Sequence, residues 1–176
     1  MIDLFTELED KITASLRSAN KMDGANYLVV PSHQNNPEPQ TTYLSVNVLD
    51  MRSLREVRSG KYELEEVNGV MHVREDVITH YTAQVQLTFI GPEAGMYSTN
   101  RHANMLGRLV MQEFDKNGIS PVRKSPLRRN PQPRGTKWVN DFVFDLTVSY
   151  AVLTADYTTE WVEKFTLLDE TIVVTN

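Results

Sequence analysis

Few residues in this chain of 176 have the types and spacing that catalysis or metal binding requires. The absence of cysteine excludes disulfides, thiol catalysis and cysteine-ligated zinc. No two histidines lie three to five residues apart, so the sequence offers no helical pair of metal ligands. We interpret all four as surface or turn residues: His33, His72, His80 and His102. We therefore expect no metal site.

Motifs for nucleophilic catalysis and for phosphate binding are also missing. The eight glycines form neither a Gly-x-Gly-x-x-Gly nor a Gly-x-x-x-x-Gly-Lys motif, and no Gly-x-Ser-x-Gly motif occurs. The adjacent pairs Glu65-Glu66 and Asp169-Glu170 are interpreted as solvated charge, because paired-carboxylate catalysis draws its groups from separate elements. We expect no enzymatic activity, no catalytic residue and no cofactor. A small hydrolase or nucleotide-binding enzyme with an unrecognised site is the alternative.

One segment, residues 121–135, has a composition that favours a binding role. Its four prolines predict a loop without regular structure. It contains no acidic residue and five basic ones: Arg123, Lys124, Arg128, Arg129 and Arg134. Clustered arginines can neutralise nucleic-acid phosphates, or bind the carboxylates of an acidic neighbouring subunit. A solvated, mobile loop is the third interpretation. We favour the protein interface, because the net charge of the chain is −5.

Hydrophobic periodicity predicts the elements around this basic segment. An amphipathic helix with Asp3 as its N-cap is predicted near the start, followed by strands at 27–31 and 42–49. Alternation is clearest in Tyr81–Phe89 and Phe142–Tyr150, which we expect to lie in one sheet under a helix over 94–117. The apolar stripe of that helix is Ala103, Leu106, Leu109, Val110 and Phe114. This order predicts an α+β fold, a mostly antiparallel sheet covered by two helices.

Two further segments are expected to face other molecules. Residues 51–72 are rich in charge and contain the hairpin signal Asn68-Gly69, which indicates either an exposed β-ribbon or an ordinary solvated loop. The tail, residues 165–176, is too apolar for open solvent. Its expected subunit-interface residues are Phe165, Leu167, Ile172 and Val174. Length favours a single domain over residues 1–176, and no apolar run is long enough to suggest a membrane partner.

The run from Trp138 to Tyr150 resembles the pattern of phage neck and tail terminator proteins. In that family a tryptophan precedes a strand of aromatic, aspartate and leucine residues that ends in tyrosine. A Thr-rich connector, residues 154–160, then leads to Trp161. The strand at 81–89 is similar as well, and so is a helix with Asn100, Ala103, Leu106 and Leu109. The resemblance covers most of residues 40–168, although the family has a shorter and less basic segment before the tryptophan.

This resemblance implies a tail-terminator-like fold and a structural virion protein without enzymatic activity. The expected assembly is a homo-oligomeric ring, a hexamer, at the neck of a tailed bacteriophage. The ring would terminate the tail tube, join it to the head connector, or do both. Its partners would be connector and tail tube or sheath proteins, with transient contact to genomic DNA as a further partner. The implied location is the virion, and the bacterial host cytoplasm during assembly. The alternatives are another tail-completion or head-completion protein, or a DNA-binding module that uses the basic segment.

Overall fold

The computed structural model describes residues 3–33, 38–67, 70–134, 137–158, 164–167 and 170–173. These ranges contain helices and strands in a mixed α+β order. The helices are α1 (Leu4–Asp23), α2 (Ala94–Asn104) and α3 (Arg108–Asp115). The strands are β1 (Leu28–Pro31), β2 (Tyr43–Val67), β3 (Val70–Ile90), β4 (Ile119–Lys124), β5 (Arg128–Arg134), β6 (Lys137–Thr158), β7 (Lys164–Leu167) and β8 (Glu170–Val173).

The chain divides into two compact units. Unit 1 comprises Met1–Arg55 and His80–Ala151, and unit 2 comprises Glu56–Thr79 and Val152–Asn176. The long strands β2, β3 and β6 contribute residues to both units. The assignment of the whole chain to a single domain stays a prediction.

The first helix begins and ends where its local chemistry predicts. The side chain of Asp3 accepts a hydrogen bond from the Phe5 N–H at 3.4 Å, as an N-cap does. Gly24 takes a left-handed conformation with φ +68°, and its N–H donates to the Asn20 carbonyl. The fully buried residues recur every four positions: Leu8, Ile12 and Leu16. The predicted amphipathic helix is confirmed.

Six strands form one sheet in the order β1-β2-β3-β6-β4, and β5 also pairs with β6. β1 runs parallel to β2, whereas β4 and β5 run antiparallel to β6. Only two residues separate β2 from β3, so these neighbours must be antiparallel. The segments Tyr81–Phe89 and Phe142–Tyr150 lie in the adjacent strands β3 and β6, which confirms that they share a sheet.

Buried residues on one face of these strands form a large part of the core of unit 1. Alternate residues of β3 and β6 are buried: Ala83, Val85, Leu87, Phe89, Phe144, Leu146, Val148 and Tyr150. The His102 ring of α2 contacts Phe144 edge-on, with ring centroids 5.0 Å apart. Tyr27 contacts Phe89 in the same manner at 5.3 Å. The period-two pattern of the sequence therefore identified the core face of both strands.

The single helix predicted over 94–117 is wrong, because the chain forms α2 and α3 instead. Gly107, between them, has extended backbone angles, φ −74° and ψ 156°. A Cβ there would lie 2.9 Å from the Asn104 carbonyl oxygen, so the turn favours glycine. The interruption changes which side chains face the core. Of the predicted stripe, Val110 and Phe114 are buried and Ala103, Leu106 and Leu109 are exposed. Three helices in the described residues thus replace the two expected.

The prediction that four prolines prevent regular structure in the basic segment is also wrong. The segment contains the end of β4 and all of β5, which pair with successive stretches of β6. Pro131 and Pro133 of β5 are two residues apart, so their nitrogens lie on the same side of the strand. An edge strand tolerates proline when the side without N–H faces away from its neighbour. The spacing of these prolines is therefore compatible with a paired edge strand.

Gly91, directly after β3, lies where two backbone segments approach closely. Its φ is +119°, and a Cβ there would be 2.7 Å from the Thr42 Cα. We expect Gly91→Ala to lower the free energy of unfolding by about 2–4 kcal/mol, through clash and backbone strain. Denaturant unfolding measures this loss.

Gly118→Ala is the matched control for Gly91→Ala. Gly118 also has a positive φ, +68°, but apart from its chain neighbours no described residue has an atom within 4 Å of its added Cβ. Only the left-handed backbone penalises that variant, so we expect a loss of about 1 kcal/mol. Equal losses in the two variants would contradict a role for the close approach to Thr42.

Within unit 2, ion pairs link neighbouring strands. Arg58 of β2 contacts Glu75 of β3 at 2.9 Å and Asp156 of β6 at 3.1 Å. Arg74 contacts Glu65 at 3.2 Å in a similar pair across β2 and β3. All residues from 52 to 64 are exposed, although they belong to a strand. The predicted hairpin turn Asn68-Gly69 lies outside the described residues, between the end of β2 and the start of β3.

Candidate functional site

The basic segment lies along an edge of the sheet in unit 1. Arg123 is opposite Thr147 in the β4–β6 pair, and Arg129 is opposite Phe142 in the β5–β6 pair. Both arginine side chains are exposed, and neither forms an ion pair within the described part of the chain. Arg134 ends β5, and its side chain lies outside the described residues. The edge therefore presents at least two free cations to solvent.

Two other cations of the segment bind groups within unit 1. The Lys124 ammonium donates to the carbonyl oxygens of His102 and, at 3.3 Å, of Ala103. Both carbonyls lie in the last turn of α2, where the helix dipole favours a positive charge. Arg128 pairs with Asp145 at 2.6 Å, but more than half of the arginine side chain is exposed. Such a pair contributes about 0–1 kcal/mol, so Arg128 remains accessible to a partner.

Ser125, between β4 and β5, fixes the middle of the segment to β6. Its N–H donates to the Asp145 carbonyl at 2.8 Å, and its hydroxyl accepts from the Asp145 N–H at 2.8 Å. His102 Nε2 lies 2.8 Å from the Ser125 carbonyl oxygen and donates to it. These bonds join the two paired strands into one continuous edge. Their geometry does not fit the interpretation of the segment as a mobile loop.

The tail residues predicted to form a subunit interface lie partly in a separate two-stranded sheet. β7 and β8 pair antiparallel, with Phe165 opposite Ile172 and Leu167 opposite Glu170. Val174 lies outside the described residues. The backbone register thus aligns Phe165 with Ile172, and their role at an interface stays a prediction.

A buried arginine that sequence reasoning missed connects α2 to the first part of unit 1. Arg101 is 3% exposed. Its Nε donates to the Tyr27 hydroxyl at 2.8 Å, and one terminal nitrogen donates to Asn20 Oδ1 and contacts Asp23 at 3.0 Å. Burial raises the pKa of Tyr27, and the Arg101 charge opposes that rise. No spacing rule marks this arginine as buried, since arginine on a helix is usually exposed.

A second polar cluster connects α1 to the end of the β6 core. The Lys11 ammonium donates to the Tyr150 hydroxyl at 2.7 Å, and that hydroxyl donates to Glu7 at 2.8 Å. Lys11 also pairs directly with Glu7 at 2.7 Å. The hydrogen bond from Lys11, together with that from Tyr150, holds the pKa of Glu7 below its ordinary value. These contacts position elements of the fold.

An open cleft of about 900 Å³ lies at one end of unit 1. Its described lining contains two carboxylates, Glu38 and Glu93, and no histidine, serine, lysine or arginine. The Tyr43 hydroxyl donates to Glu38 at 2.8 Å, and burial, with the nearby Asp141 carboxylate, raises the pKa of Tyr43. Among the residues that the structure describes, no three histidine or acidic side chains come together as a metal site. None of the described helices is long and apolar enough to span a membrane.

Comparison with protein families matches nearly the whole sequence to one model. That model describes the phage neck terminator protein and covers residues 4–176. The chain belongs to the phage neck terminator family. Membership confirms the resemblance drawn from Trp138–Tyr150, and it includes the basic segment and the tail within the matched range. A comparison with curated proteins found no significant match.

Membership in the neck terminator family assigns a broad function to the chain. It is a structural protein of the bacteriophage particle, located in the virion, and it interacts with other virion proteins. The family is structural and is not known for enzymatic activity. This assignment agrees with the expectation of a non-enzymatic virion protein.

Proposed function

We propose that this neck terminator assembles head-to-tail into a homo-oligomeric ring, a hexamer, at the junction of head and tail. The ring ends the tail tube and joins it to the head connector, and it contacts tube or sheath proteins on its tail side. Subunits would accumulate in the host cytoplasm before they enter the particle. Family membership supports the location, and the exposed part of β2 is the observation that supports assembly.

The exposed part of β2 combines charge with apolar side chains that a monomer leaves in water. Within residues 52–64, Leu54 is 63% exposed and Tyr62 is 59% exposed, while Val57 and Leu64 are also exposed. An exposed strand of this length provides both apolar area and unpaired backbone groups for another chain. We therefore assign residues 51–72 to a subunit contact.

The basic segment supports the same assembly through charge. Arg123, Arg128 and Arg129 are accessible on one edge of the sheet, and a planar guanidinium group binds a carboxylate through two hydrogen bonds. We propose that they bind an acidic protein surface, and that Arg134 belongs to the same contact. Contact with genomic DNA is the second candidate, since the free cations Arg123 and Arg129 would also fit phosphates.

Removal of residues 164–176 tests the assignment of the tail to assembly. This truncation deletes β7 and β8, which pair with each other and belong to unit 2. We expect unit 1 to keep its cooperative thermal unfolding, because the deleted residues all belong to unit 2. Ring formation, followed by native mass spectrometry and negative-stain electron microscopy, should fall at least about tenfold.

The full-length protein provides the reference for this truncation. Rings of uniform size in the full-length sample, and folded monomers in the truncated sample, are the expected result. Complete rings from the truncated protein would show that the tail is dispensable for assembly. A full-length protein that never forms rings, alone or in particles, would overturn the proposed function itself.

A further inference from the structure

The two units differ sharply in charge. The sequence of unit 2 contains eleven acidic and four basic residues, whereas that of unit 1 contains twelve acidic and fourteen basic ones. The formal charges are therefore −7 and +2. The basic segment holds five of the cations of unit 1 without an acidic residue. Each copy of the chain thus carries both a basic surface and an acidic one.

Ion pairs inside unit 2 leave several of its carboxylates free. Its cations Arg58 and Arg74 each bind two acidic side chains within the unit. Glu63 and Glu66 are both exposed residues of β2, and neither has a hydrogen-bond or ion-pair partner among the described residues. Beyond its short pairing with β1, β2 has a described strand neighbour only in β3. Free carboxylates therefore lie on an open strand.

The basic edge of unit 1 favours side-chain contacts over an extension of the sheet. If Pro131 and Pro133 direct their nitrogens away from β6, two backbone donors are missing from the outer edge of β5. A strand from another molecule could not form a regular ladder there. The exposed guanidinium groups of Arg123 and Arg129 remain as the available binding groups.

We propose that the basic segment of one subunit binds the free carboxylates of Glu63 and Glu66 on β2 in the next copy of this chain. This inference rests on the proposed ring and names its contact: Arg123 and Arg129 on one side, Glu63 and Glu66 on the other. The two surfaces are different, so each subunit uses one toward each neighbour, as a head-to-tail ring requires. The complementary charges of the two surfaces identify a second copy of this chain as the partner of the basic segment. The net charge of −5 disfavours DNA as that partner.

Charge reversal tests this contact in the full-length chain. The basic-side variant is Arg123→Glu/Arg129→Glu, and the acidic-side variant is Glu63→Arg/Glu66→Arg. Each variant alone brings like charges together at every contact, so the protein concentration needed for half-assembly should rise by about tenfold or more. An equimolar mixture should assemble again, because each variant then meets a neighbour of opposite charge. Rings in the mixture should contain the two variants in equal numbers, which native mass spectrometry resolves.

Lys21→Glu/Arg108→Glu is the matched control, since it makes the same change of charge at exposed helical residues of unit 1. It should assemble as the wild type does.

The proposed contact is overturned if either reversed variant forms rings as well as the wild type does. It is also overturned if both variants fold but their mixture fails to assemble. If the basic-side variant still forms rings but no longer retains DNA in a salt-sensitive manner, the proposed subunit contact is overturned in favour of DNA binding. A wild-type protein that stays monomeric overturns the ring as well, so failure of the contact and failure of the proposed function are distinguishable.

Discussion

Leu146→Asp should prevent the chain from folding. Leu146 lies on β6 with no exposed area, between the equally buried Phe144 and Val148. A carboxylate there would lose its hydration without gaining a partner, at a cost of several kcal/mol. Because a domain is stable by only about 5–15 kcal/mol, this loss removes most or all of the native population. We expect the variant to be insoluble, or to lack a cooperative thermal transition by circular dichroism.

Gln84→Asp is the matched control for Leu146→Asp. Gln84 lies on β3, the strand next to β6, but its side chain is exposed. A charge at this position keeps its hydration, so the melting temperature should change by only a few degrees. Leu87→Asp, on the buried face of β3, should behave as Leu146→Asp does. A melting temperature equal to that of the wild type in either leucine variant would contradict the assignment of these two strands to one core.

Arg101→Met should lower the free energy of unfolding by about 2–4 kcal/mol. Methionine fills much of the same volume but leaves Asn20 Oδ1 and the Tyr27 hydroxyl without their donor inside the protein. Asp23 loses its ion pair as well, although it is partly exposed and water can replace some of that interaction. Chemical denaturation monitored by fluorescence gives the loss directly.

A double-mutant cycle separates the hydrogen bond to Tyr27 from the rest of this cluster. Tyr27→Phe removes only the hydroxyl that accepts from Arg101. If the two groups act together, the double variant Arg101→Met/Tyr27→Phe should lose less stability than the two single losses combined. Strict additivity would show that Arg101 stabilises the fold without Tyr27. Arg108→Met, at an exposed arginine of α3, should be nearly neutral.

The sequence was sufficient for the features that local chemistry controls. The alternation in β3 and β6 identified their buried residues, because the side-chain period of a strand holds wherever one face is covered. Asp3 identified the start of α1, since its side chain acts on a backbone group of its own helix. The pattern from Trp138 to Tyr150 led to the family that the comparison confirmed.

The errors arose where the outcome depended on how a segment pairs or packs, which its own composition does not show. Proline excludes a central strand but not an edge strand, and the pairing of β5 with β6 decides which case applies. The break at Gly107 comes from its extended backbone and from the closeness of the Asn104 carbonyl oxygen, which the apolar spacing does not reveal. Arg101 is buried because Asn20 and Asp23 of α1, and Tyr27 directly before β1, converge on it. None of these contacts follows from a local pattern.

The prolines of β5 also bear on the solubility of the free subunit. At a high concentration of the free subunit, an open strand edge is a template for aggregation. Prolines at alternate positions of β5 would remove two backbone N–H donors from the outer edge of unit 1, so another chain could not pair regularly with that edge. The exposed arginines beside them add electrostatic repulsion between identical edges. The same strand would thus protect the unassembled protein from fibrous growth while its side chains stay available for a specific neighbour.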